Sequence, residues 1–441
     1  KDNKKEYMPN EDLNFEKGLF LKKNPPYKII NKINEWGPVW SRFVDKGYNY
    51  EHIKRDILIK FYEIATFCEK NKIKKVVMST YTSHNLNSLL MDLVCERLNI
   101  TQIFFLNSVE LLYNTENRIL PIYQKNNFTN RNLISNKISN HSFTKFIKIK
   151  NKELKKNNST TYTYSSYWNS SYLSKLFLPS LSLIFLYYTY SKIRGFLFTH
   201  KKKKFFNFMR YNVSSHIDLL FQQKKAINFY KKKIKYFSAY TNKKYLLIAA
   251  HHQPEASSYP MGQEWNNHID ICLELKRKGY KNKLIYKEHP LIFNYFDYST
   301  KDYRVGVARS DAYYQNLLKL KCEFLDHNIN SFSHFFLDTF LPVTISGTIA
   351  IQRSLIGYKT IYFGQPFWKG LPGTISINDI TDLKNINKYF GYDEKIEKKT
   401  IKFLISLFNN KSINNFAGMA NLHNNKGKFQ DYKSILKKII F

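Results

Sequence analysis

Four short clusters in this 441-residue chain carry side chains that could do chemistry, and each sits where an apolar run gives way to a polar turn. His251-His252-Gln253-Pro254-Glu255 joins two imidazoles to a carboxylate. Glu255 suits general acid or base work, or the holding of a sugar hydroxyl; a solvated carboxylate in a polar loop would read the same way. The paired histidines suggest a metal, but adjacent side chains rarely point together and no cysteine stands at metal spacing, so none is expected. Lys287-Glu288-His289-Pro290 supplies a compact positive charge at Lys287 and an imidazole donor at His289, restricted by the proline that follows. Both suit a phosphate, and a plain strand-end turn is the alternative. Ser346-Gly347-Thr348 offers two hydroxyls, a glycine that permits close approach and the N–H groups of a helix start, which together favour an anion. Serine and threonine are also ordinary N-cap residues. The loop from Gly364 to Gly373, with Pro366, Phe367, Trp368 and Pro372, could wall a nucleotide or sugar pocket or serve as a turn.

These clusters need a frame to hold them. Over residues 51–70 apolar positions recur at Ile53, Ile57, Phe61, Ile64 and Phe67, and steps of three and four predict a helix. Val76-Val77-Met78 predicts a short strand, the run of Leu86, Leu89, Leu90, Leu93, Val94 and Leu98 a second helix, and Ile103-Phe104-Phe105-Leu106 a buried strand. Strand, helix, strand at this spacing is a βαβ unit with parallel pairing. From Tyr245 the alternation returns: strands at 246–250, 284–286, 342–345 and 360–364, with helices at 265–279 and through Ile351, Leu355 and Ile356. It predicts a doubly wound unit that takes ligands outside the carboxyl ends of its strands, where all four clusters fall. The expected class is α/β, with an N-terminal unit at 1–125, a Lys-, Asn- and Tyr-rich helical insertion or linker at 126–240, a ligand-binding unit at 241–400 and closing helices at 401–441.

Lys plus Arg number 70 against 34 Asp plus Glu, a formal charge of +36, while 43% hydrophobic and 17% aromatic residues exclude a disordered polycation. Nucleic acid is not expected as a partner. Only 11 of the basic residues are Arg, the residue that reads bases and phosphates bidentately, and no recognition motif accompanies them. The Lys, Asn, Ile and Tyr excess points to an AT-rich coding bias and a solvated basic surface. One stretch stands apart: an apolar run from Leu176 to Tyr188, then Phe196-Leu197-Phe198 and Lys201 to Lys204. Pro179 and the serines make it too short and broken for a membrane span of about 20 residues. It suits an anionic membrane surface, or a helical insertion packed on the protein itself. Cys68, Cys95, Cys272 and Cys322 form no CxxC pair, against both zinc and a disulfide framework. The polar start, Lys1 to Glu6, lacks the apolar core of a signal peptide. The expected location is the cytoplasm, at the inner membrane where the basic apolar stretch meets it.

In order, Gln253-Pro254-Glu255, Lys287-Glu288-His289-Pro290, Ser346-Gly347-Thr348 with its helix, and Phe363-Gly364 with an aromatic-Pro-Gly loop resemble the bacterial capsule polysaccharide biosynthesis proteins, a group that includes the retaining β-Kdo transferases. The likeness covers about 245–375 well and 73–110 loosely, and leaves out 126–240. It implies two Rossmann-like domains facing each other across a cleft, the GT-B arrangement, and a glycosyltransferase that moves a nucleotide-activated sugar, CMP-Kdo first, onto a polysaccharide or lipid-linked acceptor without a cofactor. It implies that His289 contacts the phosphate of the activated sugar, with Ser346, Gly347, Thr348 and Lys287 beside it, and that Glu255 holds the active-site acidic position. His84, His252 and Gln253 fall to the acceptor or sugar side. One departure stands out: relatives often carry Glu-Ala where this chain has Gln352-Arg353, which leaves an uncharged Gln352 for a ribose hydroxyl. Three rivals remain: a CDP-alditol-dependent polyol-phosphate transferase, a nucleotide-sugar epimerase and a non-catalytic polysaccharide-assembly protein.

Overall fold

The computed structural model describes residues 50–78, 86–105, 120–124, 141–156, 177–179, 181–182, 186, 213–235, 240, 243–251, 262–265, 267–293, 309–327, 329, 333–366 and 368–413. They form a mixed α/β structure with two sheets. The smaller starts as expected, with helix α1 (Tyr50–Lys70), strand β1 (Lys75–Met78), helix α2 (Leu86–Arg97) and strand β2 (Thr101–Phe105), the two strands parallel. Phe61, Ile64 and Cys68 of α1 close against Leu90, Leu93 and Val94 of α2, so the described part of the predicted apolar stripes is packed; the side chains of Ile53, Ile57, Leu86 and Leu89 lie outside the described ones. Two pairings depart from the βαβ pattern. Strand β3 (Leu120–Gln124) joins β2 antiparallel, and strand β11 (Ser412–Ile413), from far along the chain, joins β3 antiparallel. Helix α3 (His141–Lys156) follows β3.

The larger sheet follows helix α4 (Val213–Lys233) and holds β4 (Ile234–Lys235), β5 (Tyr245–Ala249), β6 (Leu284–Lys287), β7 (Cys322–Leu325), β8 (Phe340–Thr344), β9 (Thr360–Tyr362) and β10 (Thr374–Ser376). Its order is β10-β9-β8-β5-β6-β7-β4 and every pairing is parallel. Helices α5 (His268–Arg277), α6 (Asp311–Lys319), α7 (His334–Thr339) and α8 (Thr348–Leu355) make the connections β5 to β6, β6 to β7, β7 to β8 and β8 to β9. Continuous apolar runs are what a sheet buried on both faces requires, and Leu246, Leu247 and Ile248 of β5 are all fully buried. Their faces alternate: Leu246 and Ile248 pack with α4, α5 and α6, and Leu247 packs toward α7 on the other side. Helix α8 packs with α3 and α9 (Glu394–Lys411) in a separate cluster centred on Ile351, Leu355, Trp368 and Leu404.

From β5 the chain steps to β6 and β7 on one side, then crosses back to β8, β9 and β10 on the other. That is the 3-2-1-4-5-6 order of doubly wound folds, with the reversal between β5 and β8. In doubly wound folds ligands bind outside the carboxyl ends of the strands at such a reversal. Helix α9 runs through residue 400 and leads directly into β11. Residues 414–441 lie outside the described ones. Among the described residues no helix is long and apolar enough to cross a membrane.

Candidate functional site

His251, Glu288 and Ser346, one residue from each of three of the four sequence clusters, meet at the ends of β5, β6 and β8. Side chains alternate along β6, so Leu284 and Tyr286 face the α5/α6 side, Ile285 faces the other, and Glu288, one residue past the strand, continues the Tyr286 side. Glu288 is 1% exposed. Its carboxylate accepts five hydrogen bonds: Oε2 from Arg309 Nε at 2.8 Å, Tyr314 Oη at 2.9 Å and Tyr286 Oη at 3.0 Å, and Oε1 from the His289 N–H at 2.8 Å and Arg309 Nη2 at 3.3 Å. Tyr230 of α4 donates to the carbonyls of Leu325 and Tyr286 at 2.6 and 3.3 Å and accepts the Glu288 N–H at 3.1 Å. Burial opposes the Arg309 charge, but Glu288 with Tyr286 and Tyr313 more than offsets this, and the guanidinium is held well above its usual range. Burial first, then the Glu288 charge, push Tyr230 and Tyr314 well up, so their hydroxyls keep their protons to donate.

Arg309 reaches a second strand end, where Nη2 donates to the His251 carbonyl at 3.1 Å. The His251 N–H donates to His268 Nε2 at 3.2 Å. His268 therefore carries its proton on Nδ1, 3.1 Å from Tyr313 Oη. Tyr286 is already committed as a donor to Glu288, so the Tyr313 hydroxyl, 3.3 Å away, donates to it. The result is a one-directional string from the His251 backbone through His268, Tyr313 and Tyr286 to Glu288. Neutral imidazoles fit it: burial and then Arg309 lower His251 to about 3, and burial, Arg309 and His251 hold His268 well below its usual value.

The third strand end joins through the His251 ring. Its Nε2 accepts the Ser346 N–H at 3.3 Å and lies 3.4 Å from Thr344 Oγ1, which accepts the Gly347 N–H at 3.2 Å. With Nε2 an acceptor, Nδ1 bears the proton, and that buried atom has no hydrogen-bond partner. Gly347 occupies the N-cap of α8 and no side chain caps the helix. Asn267, Ser310 and Ser333 do cap α5, α6 and α7. Neither Ser346 nor Thr348 is thus the ordinary N-cap that the sequence left open. The glycine has a local reason as well: a Cβ there would stand 2.5 Å from Thr344 Oγ1 and 3.4 Å from His251 Nε2. Trp368, fully buried, donates from Nε1 to the Ser346 carbonyl at 3.3 Å, so the aromatic loop supports this turn from beneath.

His289 is half-buried, its N–H on Glu288 and its carbonyl accepting the Ile292 N–H at 3.0 Å, with Pro290 opening a short turn to Phe293. Lys287 alternates with Tyr286 and Glu288 and takes no part in the buried tie. Burial lowers its ammonium to about 8 against the pull of Asp326 and Glu288. Gln352 is buried within α8. His84, His252, Gln253, Glu255 and Phe367 lie outside the described residues. Sequence reasoning missed Arg309, His268 and the roles of His251 and Glu288. The period-two pairing of Tyr286 with Glu288 was a usable signal for the last. Arg309, in Val307-Ala308-Arg309-Ser310, offered none.

Among the described residues no three His, Cys, Asp or Glu side chains gather as a metal site. No family model matches the chain, and no curated protein matches it. Among solved structures, KpsC of Thermosulfurimonas dismutans, described as a beta Kdo 2,7 transferase, aligns over 81% of this chain and 97% of its own length, at 12% identity and a TM-score of 0.29. At that score the likeness carries no weight for fold or chemistry.

Proposed function

We propose that this chain is a glycosyltransferase of surface polysaccharide assembly that binds the phosphate of a nucleotide-activated sugar, CMP-Kdo first, in the crevice between the ends of β5 and β8. One observation carries the reading: Arg309, Glu288 and His251 tie three loop starts together at the reversal of strand order, beside a helix start that no side chain caps. A site for a phosphate needs donors fixed before the ligand arrives, and this tie fixes them. His289 and the first N–H groups of α8, with Ser346, Thr348 and Lys287, take the phosphate. As the bond between the anomeric carbon and the phosphate oxygen breaks, the nucleotide departs with negative charge that these donors stabilise. An acceptor oxygen takes its place on the sugar, and Glu255 receives the acceptor's proton. His84, His252 and Gln253 serve the sugar or acceptor, and the smaller sheet is the acceptor-side half of a GT-B enzyme.

Calorimetric titration of CMP tests the phosphate role. His289→Ala is expected to weaken binding about tenfold or more, the loss of one hydrogen bond to a charged group. Equal affinity in the two proteins, or none in either, refutes it. Mass spectrometry of CMP-, CDP- and UDP-activated donors incubated with candidate acceptors tests the transferase class. Turnover of a nucleotide sugar with no acceptor present would favour the epimerase.

A further inference from the structure

We propose that the exposed face of α4, with the segment around 177–182 seated on it, is a docking surface for an anionic lipid bilayer. The proposal is independent of the donor chemistry and begins with how the charge is distributed. Residues 126–240 hold 22 of the 70 basic residues but only 2 of the 34 acidic ones, Glu153 and Asp218. The other 326 residues hold 48 basic and 32 acidic. A coding bias toward lysine acts along the whole chain and does not clear carboxylates from one stretch of it. On α4 the excess is local in space as well: Lys224, Lys225, Lys231, Lys232 and Lys233 stand against Asp218, whereas α3 of the same stretch packs with α8 and α9.

Exposed apolar side chains fall in the same stretch. Leu178 is 70% exposed, Leu186 65% and Phe221, on α4, 50%. Phe177 meets Phe221 edge-on with ring centroids 5.1 Å apart, which seats the segment around 177–182 on α4. That segment has an inner and an outer side: Phe177 and Leu181 pack against the main core, and Leu178 and Ser182 are exposed. Helix α4 is divided the same way. Gln223, Ala226, Ile227 and Tyr230 are buried, while Phe221, Lys225, Asn228, Lys231 and Lys232 are exposed. Lys224 Nζ lies 4.1 Å from the centre of the Phe177 ring, so cation and apolar surface are interleaved. Lys225 pairs with Asp311 at 3.0 Å yet remains 73% exposed.

The occupant follows from that mixture. Leucine and phenylalanine tips can enter the boundary between headgroups and acyl chains, while lysine stems lie along it and carry their ammonium groups to lipid phosphates. A second copy of the chain would bring an equally cationic face and be repelled. Nucleic acid would satisfy the lysines but give the exposed leucines nothing to bury. With no membrane-crossing helix among the described residues, the contact proposed is peripheral.

The test is sedimentation of the full chain with vesicles of phosphatidylcholine alone, or with phosphatidylglycerol added. Binding is expected only with phosphatidylglycerol, and is expected to fall as salt is raised. Leu178→Asp with Phe221→Asp, and separately Lys231→Glu with Lys232→Glu, should each lower partitioning roughly tenfold. Circular dichroism melts check that each variant remains folded. No binding to the anionic vesicles overturns the proposal. Binding undiminished in both variants overturns it too, as does tighter binding to a single-stranded RNA that Leu178→Asp with Phe221→Asp leaves unchanged, which would make nucleic acid the partner.

Discussion

Two guanidinium groups lie buried near opposite ends of the connection from β8 through α8, and their surroundings differ. Arg309, 3% exposed, is held by the Glu288 carboxylate within a ring of tyrosines, and its charge is reinforced. Arg353, 1% exposed and in the last turn of α8, meets only the Lys359 carbonyl at 3.2 Å, the Leu337 carbonyl at 3.4 Å and the Tyr358 ring at 5.4 Å, while its Nη1 has no partner. Burial lowers Arg353 to about 9, with Tyr358 and Asp338 opposing. Carbonyl dipoles, the negative end of a short helix and the pull of Asp338 offset part of its desolvation, but among the described residues no carboxylate is hydrogen-bonded to it. The first charge fixes the geometry of the loop starts at the reversal of strand order. The second ties the end of α8 to α7 and to the residue before β9, and carries a net desolvation cost.

Breaking the first region should have the largest effect. Arg309→Met strands the Glu288 carboxylate and should cost about 3–5 kcal/mol in urea unfolding, whereas Glu288→Gln with Arg309→Met should recover much of that loss. If the single and double variants are equally stable, the pair is uncoupled and the contrast with Arg353 fails. Acid comes next. The unfolded chain takes up protons on His251 and His268 below pH 6.5, and the folded chain refuses them, down to about pH 3 for His251. Stability should therefore fall as pH drops below 6.5, by up to about 1.4 kcal/mol per pH unit for each histidine. Unfolding titrations between pH 7 and 5 measure the slope, and His268→Gln should reduce it by one proton. The smallest effect is expected at Arg353→Met, within about 1 kcal/mol of wild type, because lost carbonyl contacts and relieved desolvation oppose each other. A loss comparable to that of Arg309→Met would show that the two regions are not different after all.

Much of the larger sheet could be read before folding, because buried parallel strands are apolar throughout and Leu246-Leu247-Ile248 or Leu284-Ile285-Tyr286 admit few other readings. Helix α1 was legible for the same kind of reason, a regular stripe of Phe61 and Ile64 with their neighbours. The loop starts were legible as places, since β-to-α turns fall at strand ends. What joins them was not. Arg309 lies 21 residues from Glu288 and 58 from His251, and no local pattern encodes a bond across that distance. Strand β11 was equally invisible, because a two-residue strand has no period to detect.

That short strand has a consequence for synthesis. The third strand of the smaller sheet ends at Gln124, and its antiparallel neighbour begins at Ser412, roughly 290 residues later. At a translation rate of about 5–20 residues per second, the partner reaches the ribosome exit some fifteen seconds to a minute after β3 does. Until then Leu120 and Pro121 of β3 have no β11 partner and that edge can pair with a neighbouring chain, so the nascent protein passes through a timed interval of greater aggregation risk than the finished one.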